Sequence, residues 1–312
     1  VYKSTEIDGK IPVFSGFLQN FIKESTARDI KFGKGEKKGK VQRYFPDGKD
    51  TTVRIIDNFF RRVYNKIMNV YEHIREFDVR YCDADFKDEL KPSAMLAYFE
   101  EVACSSADEL GYEMLKPKGY TFMLTNVRSR IYKPVPLGVR VLVKTWPTPP
   151  SYFVFGREYQ ILSPSGEVFV NATSRWCLVD LNTGKLLQAK TLSDQDYSSY
   201  NSARALDVNR WKFPLYPAED GEERFSITIA NSEYDHNMHV NNTRYADYCF
   251  NCFSVGELSS RKLEEFSLGY IRQCREGDSL RFARRQTEEG DFQIEGFNGG
   301  EVAVQAEIRF GE

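Results

Sequence analysis

Apolar side chains recur along this chain with two periods, and the places where the period changes divide it. From Tyr71 onward, alternating stretches read as strands: first "IREFDVRYCDAD", later "YTFMLTNVRSRIY", "VRVLVKTW", "FVFGREYQIL" and "EVFVNATSRWCLVDL". Alternation at every second residue puts one set of side chains on one face of a pleated strand. After the first of them, Met95, Phe99, Val102 and Ala103 recur at helical spacing, with Pro92 placed for the first turn. Gly138, "SPSG" and "NTG" mark turns. The same order then repeats. "RFSITIANSEY" reads as a strand, and "NNTRYADYCFNCFS" as a helix with Tyr245, Tyr248, Cys249 and Cys252 at helical spacing. "KLEEFSLGYIRQC", "SLRFARRQ", "DFQIEGF" and "EVAVQAEIRF" read as four more strands.

One strand, one long helix and four strands describe an antiparallel sheet wrapped around a helix, and two copies of it make an α+β tandem (double) hot-dog. Each unit leaves a sheet edge and part of its helix for the other to cover. The pattern places the first unit at 71–198, a linker without either period at 199–221, and the second unit at 222–312. Residues 1–70 have no counterpart in either repeat and read as a basic N-terminal extension, with Ile56, Phe59, Phe60, Val63, Ile67 and Val70 at helical spacing near its end. Residues 1–67 hold 15 Lys and Arg against 8 Asp and Glu, and Met68 stands where a start could lie, so this segment is expected to be dispensable.

Composition narrows the function classes. With 41% apolar residues and a net charge of −2, the chain is expected to fold as a globular protein with no general attraction to nucleic acid. No apolar run approaches ~18 residues and no signal pattern opens the chain, so a soluble, cytoplasmic protein without a membrane span is expected. The six cysteines fall in apparent strands and helices, which suits reduced core thiols. Cys249-x-x-Cys252 reads as core packing, since no second such pair accompanies it for a metal. No Gly-rich phosphate loop or zinc spacing is present, and no cofactor or metal is expected.

Scarce polar side chains gather in one place, "SEYDHNMHVNNTRYADY", just before the second helix. Asp235, Asn237 and His239 alternate there. Laying "DELKPSAMLAY" (88–98) on "DHNMHVNNTRY" (235–245) sets Asp88, Leu90 and Pro92 opposite them, so one site is expected, on the second unit and facing the first. "RIYKPVPLG" (130–138) likewise lies on "GYIRQCREG" (269–277). A His can exchange a proton near pH 7, and an Asn offers a fixed donor and acceptor for water or a carbonyl. The first N–H groups of the helix, at Val240, Asn241 and Asn242, offer a donor cluster for developing negative charge, and Asp235 could orient the His or act as base. Asn241 and Asn242 also suit helix capping. His236 and His73 read as structural.

The stretch "YDHNMHVNNTRYADY" resembles the D-x-N-x-H-V-N-N-x-x-Y signature of the acyl-acyl carrier protein thioesterases of plants and bacteria, and the resemblance covers most of residues 71–312. It implies hydrolysis of the thioester joining a fatty acyl chain to a carrier protein's phosphopantetheine arm, with release of free fatty acid, and no cofactor. Where that family commonly places Glu, followed by Cys in the plant enzymes, this chain has Gln273 and Cys274 in "YIRQC". Gln cannot act as a base, so the resemblance leaves Asp235 or His239 as base and Gln273 as a group that positions water. Acyl carrier protein is the expected partner, and a homodimer is compatible with the pattern. Arg281 with "RRQ", and the group Lys116, Lys118, Arg128 and Arg130, read as solvated charges by default, one of which could dock the acidic face of the carrier. Acyl-CoA hydrolysis and acyl binding without turnover stand as the alternatives.

Overall fold

The computed structural model describes residues 70–214, 216 and 221–311. The expectations for the N-terminal extension, its helix and Met68 lie outside the described residues. The first unit runs β1 (His73–Asp78), α1 (Pro92–Glu109), β2 (Tyr120–Ile131), β3 (Arg140–Pro147), β4 (Phe155–Leu162), β5 (Val168–Asp180) and a short β6 (Lys185–Leu187). The second runs β7 (Glu222–Thr228), α2 (Asn242–Phe250), α3 (Val255–Ser259), β8 (Lys262–Tyr270), β9 (Ser279–Gln286), β10 (Phe292–Asn298) and β11 (Glu301–Gly311). All strands join one antiparallel sheet in the order β1-β3-β4-β5-β2-β8-β11-β10-β9-β7, with β6 beside β5. The second half of that order repeats the first in mirror sequence, so the chain is a tandem hot-dog.

The seam between the units is the β2–β8 pair, running from Asn126 opposite Gly269 to Arg130 opposite Glu265. Polar side chains reinforce it: Arg130 Nε lies 2.7 Å from Glu265, and Arg128 donates to Ser267 Oγ at 3.0 Å. A single apolar cluster, from Val79 to Ile308, crosses this seam and holds both helices.

Helix α1 forms where the apolar spacing placed it. Pro92 opens it, where a missing N–H costs nothing because a helix leaves its first donors unbonded. Met95, Phe99, Val102 and Ala103 are all buried. Phe99 stacks on Tyr159 of β4 at 4.6 Å between ring centroids, and losing such a ring typically costs about 3–5 kcal/mol. The second helix departs from expectation. The turn is broken after Phe250, and Ser254 starts α3 with a capping box: its hydroxyl accepts from Glu257 N–H and the Glu257 carboxylate accepts from Ser254 N–H. Tyr245, Tyr248 and Cys249 are buried on α2, and Cys252 is buried in the break.

The stretch between the units does more than cross the surface. Leu206 and Phe213 are buried, and Phe213 lies so close over the seam that a Cβ on Gly269 would sit 2.7 Å from its ring. Glu158 of β4 is fully buried, on the strand face opposite to Tyr159. It is satisfied by Thr173 Oγ1, Arg204 Nη1 and the Ala205 N–H. Covering this face explains why β4 reads as nearly continuous burial rather than clean alternation.

Candidate active site

The segments that enter the two helices match hydrogen bond for hydrogen bond. Asp85 Oδ1 accepts from the N–H groups of Lys87 and Glu89 at 2.8 and 3.2 Å, and Asp235 Oδ1 accepts from those of Asn237 and His239 at the same two distances. Ala84 bridges Leu90 as Tyr234 bridges Val240. Lys91 N–H donates to Asp83 O as Asn241 N–H donates to Glu233 O. Asp88 and Met238 share a left-handed backbone, at φ 58 and 61. The register expected from sequence, with Asp88, Leu90 and Pro92 opposite Asp235, Asn237 and His239, is therefore wrong by three residues; the true counterparts are Asp85, Lys87 and Glu89. Three residues is close to one helical turn, so the slip leaves an aromatic face in phase and passes unseen. The second superposition holds. Gly138 N–H donates to Val79 O as Gly277 N–H donates to Ile229 O, which sets Pro134 opposite Gln273.

On this matched frame the differences stand out. In the first unit Leu90 N–H donates to Val135 O, Leu137 N–H donates to Asp88 O, and Pro92 has no N–H to give. In the second unit Glu276 N–H, the counterpart of Leu137's, donates instead to the Tyr234 hydroxyl at 2.7 Å. The Tyr245 hydroxyl hydrogen-bonds Cys274, the counterpart of Val135. Ala84 and Met95 occupy the places of these tyrosines in the first unit and have no hydroxyl. The N–H groups of Val240 and Asn242 have no hydrogen-bond partner among the described residues. Asn241 N–H is taken by Glu233 O, so it is not the donor expected of it. On an extended stretch the groups on either side of it face the other way.

The side chains sort accordingly. Asp235 spends one carboxylate oxygen on two backbone N–H groups, as Asp85 does, so this feature belongs to the loop rather than to the imidazole. His239 is half-buried and Asn237 exposed; they are the residues at which the second copy differs, since Lys87 and Glu89 in the first form an ion pair at 3.2 Å. Asn241 is the N-cap, its Oδ1 accepting from Thr243 N–H at 2.8 Å. Gln273 does not sit on a strand. β8 ends at Tyr270, because Ile271 and Arg272 both turn their N–H groups to Ala303 O, and Gln273 is exposed beyond that bulge. Cys274 is buried, and burial pushes its thiol up, away from a nucleophilic thiolate.

A cavity of about 30 Å³ opens beside Asn242 and Thr243, walled by Leu96, Phe99, Leu124, Trp176 and Tyr270. One charged group lines it, Glu100 of α1, which also hydrogen-bonds the Asn241 side chain. Burial, aided by the charge of Asp235, holds the Glu100 carboxyl above its ordinary range, against the pull of that hydrogen bond. The sequence pattern missed Glu100 and Tyr234, and placed Tyr245 only on the apolar helix face and at the end of the signature.

The basic groups that could serve docking are mostly spent inside the chain. Arg128 pairs with Glu307, Arg130 with Glu265 and Arg281 with Glu223; Lys116 and Lys118 are exposed, with no ion pair among the described residues. His73 pairs with Glu109. No helix among the described residues is long and apolar enough to cross a membrane.

Comparison with known proteins adds the family. Residues 70–191 match the family model of the acyl-ACP thioesterase N-terminal domain, and residues 218–312 that of the C-terminal domain. A chloroplastic acyl-[acyl-carrier-protein] hydrolase of Cuphea viscosissima is 22% identical over 231 residues, which cover 70% of this chain and 56% of that protein. The chain thus spans little more than half the length of that relative. Among solved structures, an acyl-ACP thioesterase from Bacteroides thetaiotaomicron aligns with a TM-score of 0.69 at 20% identity, over 77% of this chain and 98% of the other. A 12:0-ACP thioesterase from Umbellularia californica aligns with a TM-score of 0.71 at 16% identity, over 77% and 97%.

Proposed function

The chain belongs to the acyl-ACP thioesterase family, and on that premise we propose that it hydrolyses the thioester of a fatty acyl-acyl carrier protein to free fatty acid and carrier thiol. The observation that carries this reading is the pair of open N–H groups at Val240 and Asn242, present in one copy and closed in the other. Water oxygen bonds to the thioester carbon while the carbonyl π pair moves onto oxygen. The two N–H groups receive that oxyanion, a contribution of about 2.7–4 kcal/mol for a single good donor in comparable sites. The attacking water gives up a proton to a base as its C–O bond forms. When the pair returns, the C–S bond breaks and the thiolate takes a proton from His239, which regains one from solvent, as Asn237 holds water or carbonyl and Asp235 fixes the loop.

The units that carry out this work are taken as 71–198 and 222–312, joined by the 199–221 linker. Carrier protein is the proposed partner, with Lys116 and Lys118 as the exposed cations for its acidic surface. The six free thiols suit a reducing compartment such as the cytoplasm. The test is release of free thiol from acyl-carrier protein and, separately, from acyl-CoA. Faster turnover of the carrier substrate supports the reading; preference for CoA makes the protein an acyl-CoA thioesterase, and binding without thiol release makes it an acyl-binding protein.

A further inference from the structure

We propose that Glu100, on the helix of the first unit, is the carboxylate that takes the proton from the attacking water at the site of the second unit; this rests on the thioesterase reading above. The chemistry needs a proton acceptor, and the family's usual carboxylate position holds Gln273, exposed and off the strand. Asp235 has one oxygen committed to the loop backbone. Glu100 lines the same cavity as Asn242, one residue beyond the N-cap that it bonds. The groups that face it are Asp235 and His236 from the loop, Tyr270 from β8, and Glu101 and Cys104 from its own helix.

The repeat supplies the second argument. With Asp85 matching Asp235, the counterpart of Glu100 is Phe250, whose ring packs on Phe253 and Phe266. The duplication therefore keeps an acid beside the open helix N-terminus of α2 and puts a hydrocarbon ring at the matching position of α2 itself. Both halves of the site, donors and acid, are kept on the same side of the duplication. The balance is simple: the water proton passes to the Glu100 carboxylate as the C–O bond forms, and His239 protonates the thiolate as the C–S bond breaks. Glu100 then returns its proton to solvent while His239 regains one from it.

The test is Glu100→Gln, which keeps an acceptor for Asn241 and removes the base, with Glu100→Asp beside it. Expected for the Gln variant is a fall in kcat of at least ~100-fold with KM little changed. The acidic limb of the wild-type pH–rate profile should vanish from its residual activity, while the Asp variant keeps a limb. Its melting temperature at neutral pH should match or exceed the wild type, because a carboxyl held above its ordinary range loses stability for the fold as pH rises and it ionises. A Gln variant within a few-fold of wild type, or one that keeps the acidic limb, or one that loses activity only by melting lower, overturns the assignment to Glu100 and leaves the thioesterase reading standing. Wild-type protein that releases no thiol from either substrate overturns both.

Discussion

Asn242 opens α2 at the position where Pro92 opens α1, so the second helix presents an N–H at a point where the first has none. The duplicated unit thereby provides its own control. Asn242→Pro would convert one copy to the other, and proline at the first helical position is well tolerated. The expected outcome is a kcat lowered ~100-fold or more with a melting temperature within about 2 °C of wild type. Steady-state kinetics with acyl-carrier protein, paired with a thermal melt, measures both.

The positions that differ between the copies should matter unequally. His239→Ala and Asn237→Ala are each expected to lower turnover at least ~100-fold without unfolding the protein. Lys87→Ala and Glu89→Ala, at the matching places of the first unit, should leave turnover within about three-fold, since they remove an ion pair at a partly exposed site. Asp235→Ala and Asp85→Ala should both cost about 1–3 kcal/mol of stability through the loop bonds, read from denaturant melts, but only Asp235→Ala should cost activity.

For Gln273, restoring the family's carboxylate is informative in the negative. The side chain is exposed beyond the end of β8, so Gln273→Glu is expected to leave kcat within about three-fold, whereas a loss of the only base would predict a rise.

If the acyl chain enters beside α2, the walls of the cavity there should set its preferred length. At about 30 Å³ it holds roughly two waters, so a chain enters only by displacing its walls. Trp176→Ala or Leu124→Ala should enlarge it. Each methylene newly housed is worth ~0.8 kcal/mol, or about four-fold in kcat/KM, in favour of longer chains. A series of acyl-carrier proteins of graded length would show the shift, and an unmoved optimum would place the acyl chain elsewhere.

How far the sequence could be read follows from which interactions are local. Strand alternation and the buried face of α1 depend on neighbours within a few residues, and both emerged directly. The break after Phe250 was also written locally, in the Ser254–Glu257 box, but the apolar spacing ran through it and hid it. The polar motif was legible because scarce residues stood together. Its alignment to the first copy was not, since a helix forgives a slip of nearly one turn. Glu100 and the freeing of Val240 N–H were beyond the sequence for a different reason. Glu100 reaches Asn241 from the other repeat, and Val240 N–H lacks the partner that Leu90 N–H finds in Val135 O, a difference set across the fold rather than along the chain.

The β2–β8 seam has a consequence for inheritance. Were the units separate, identical chains, one gene would write both loops, and any change that suited the catalytic copy would be imposed on its mate. Joined in a single reading frame, the copies are spelled by different codons and can answer to different selection. A missense change in residues 85–92 would then be screened for folding alone, and one in 235–242 for turnover as well. A library of random substitutions scored for growth and for solubility would separate those two pressures along the gene.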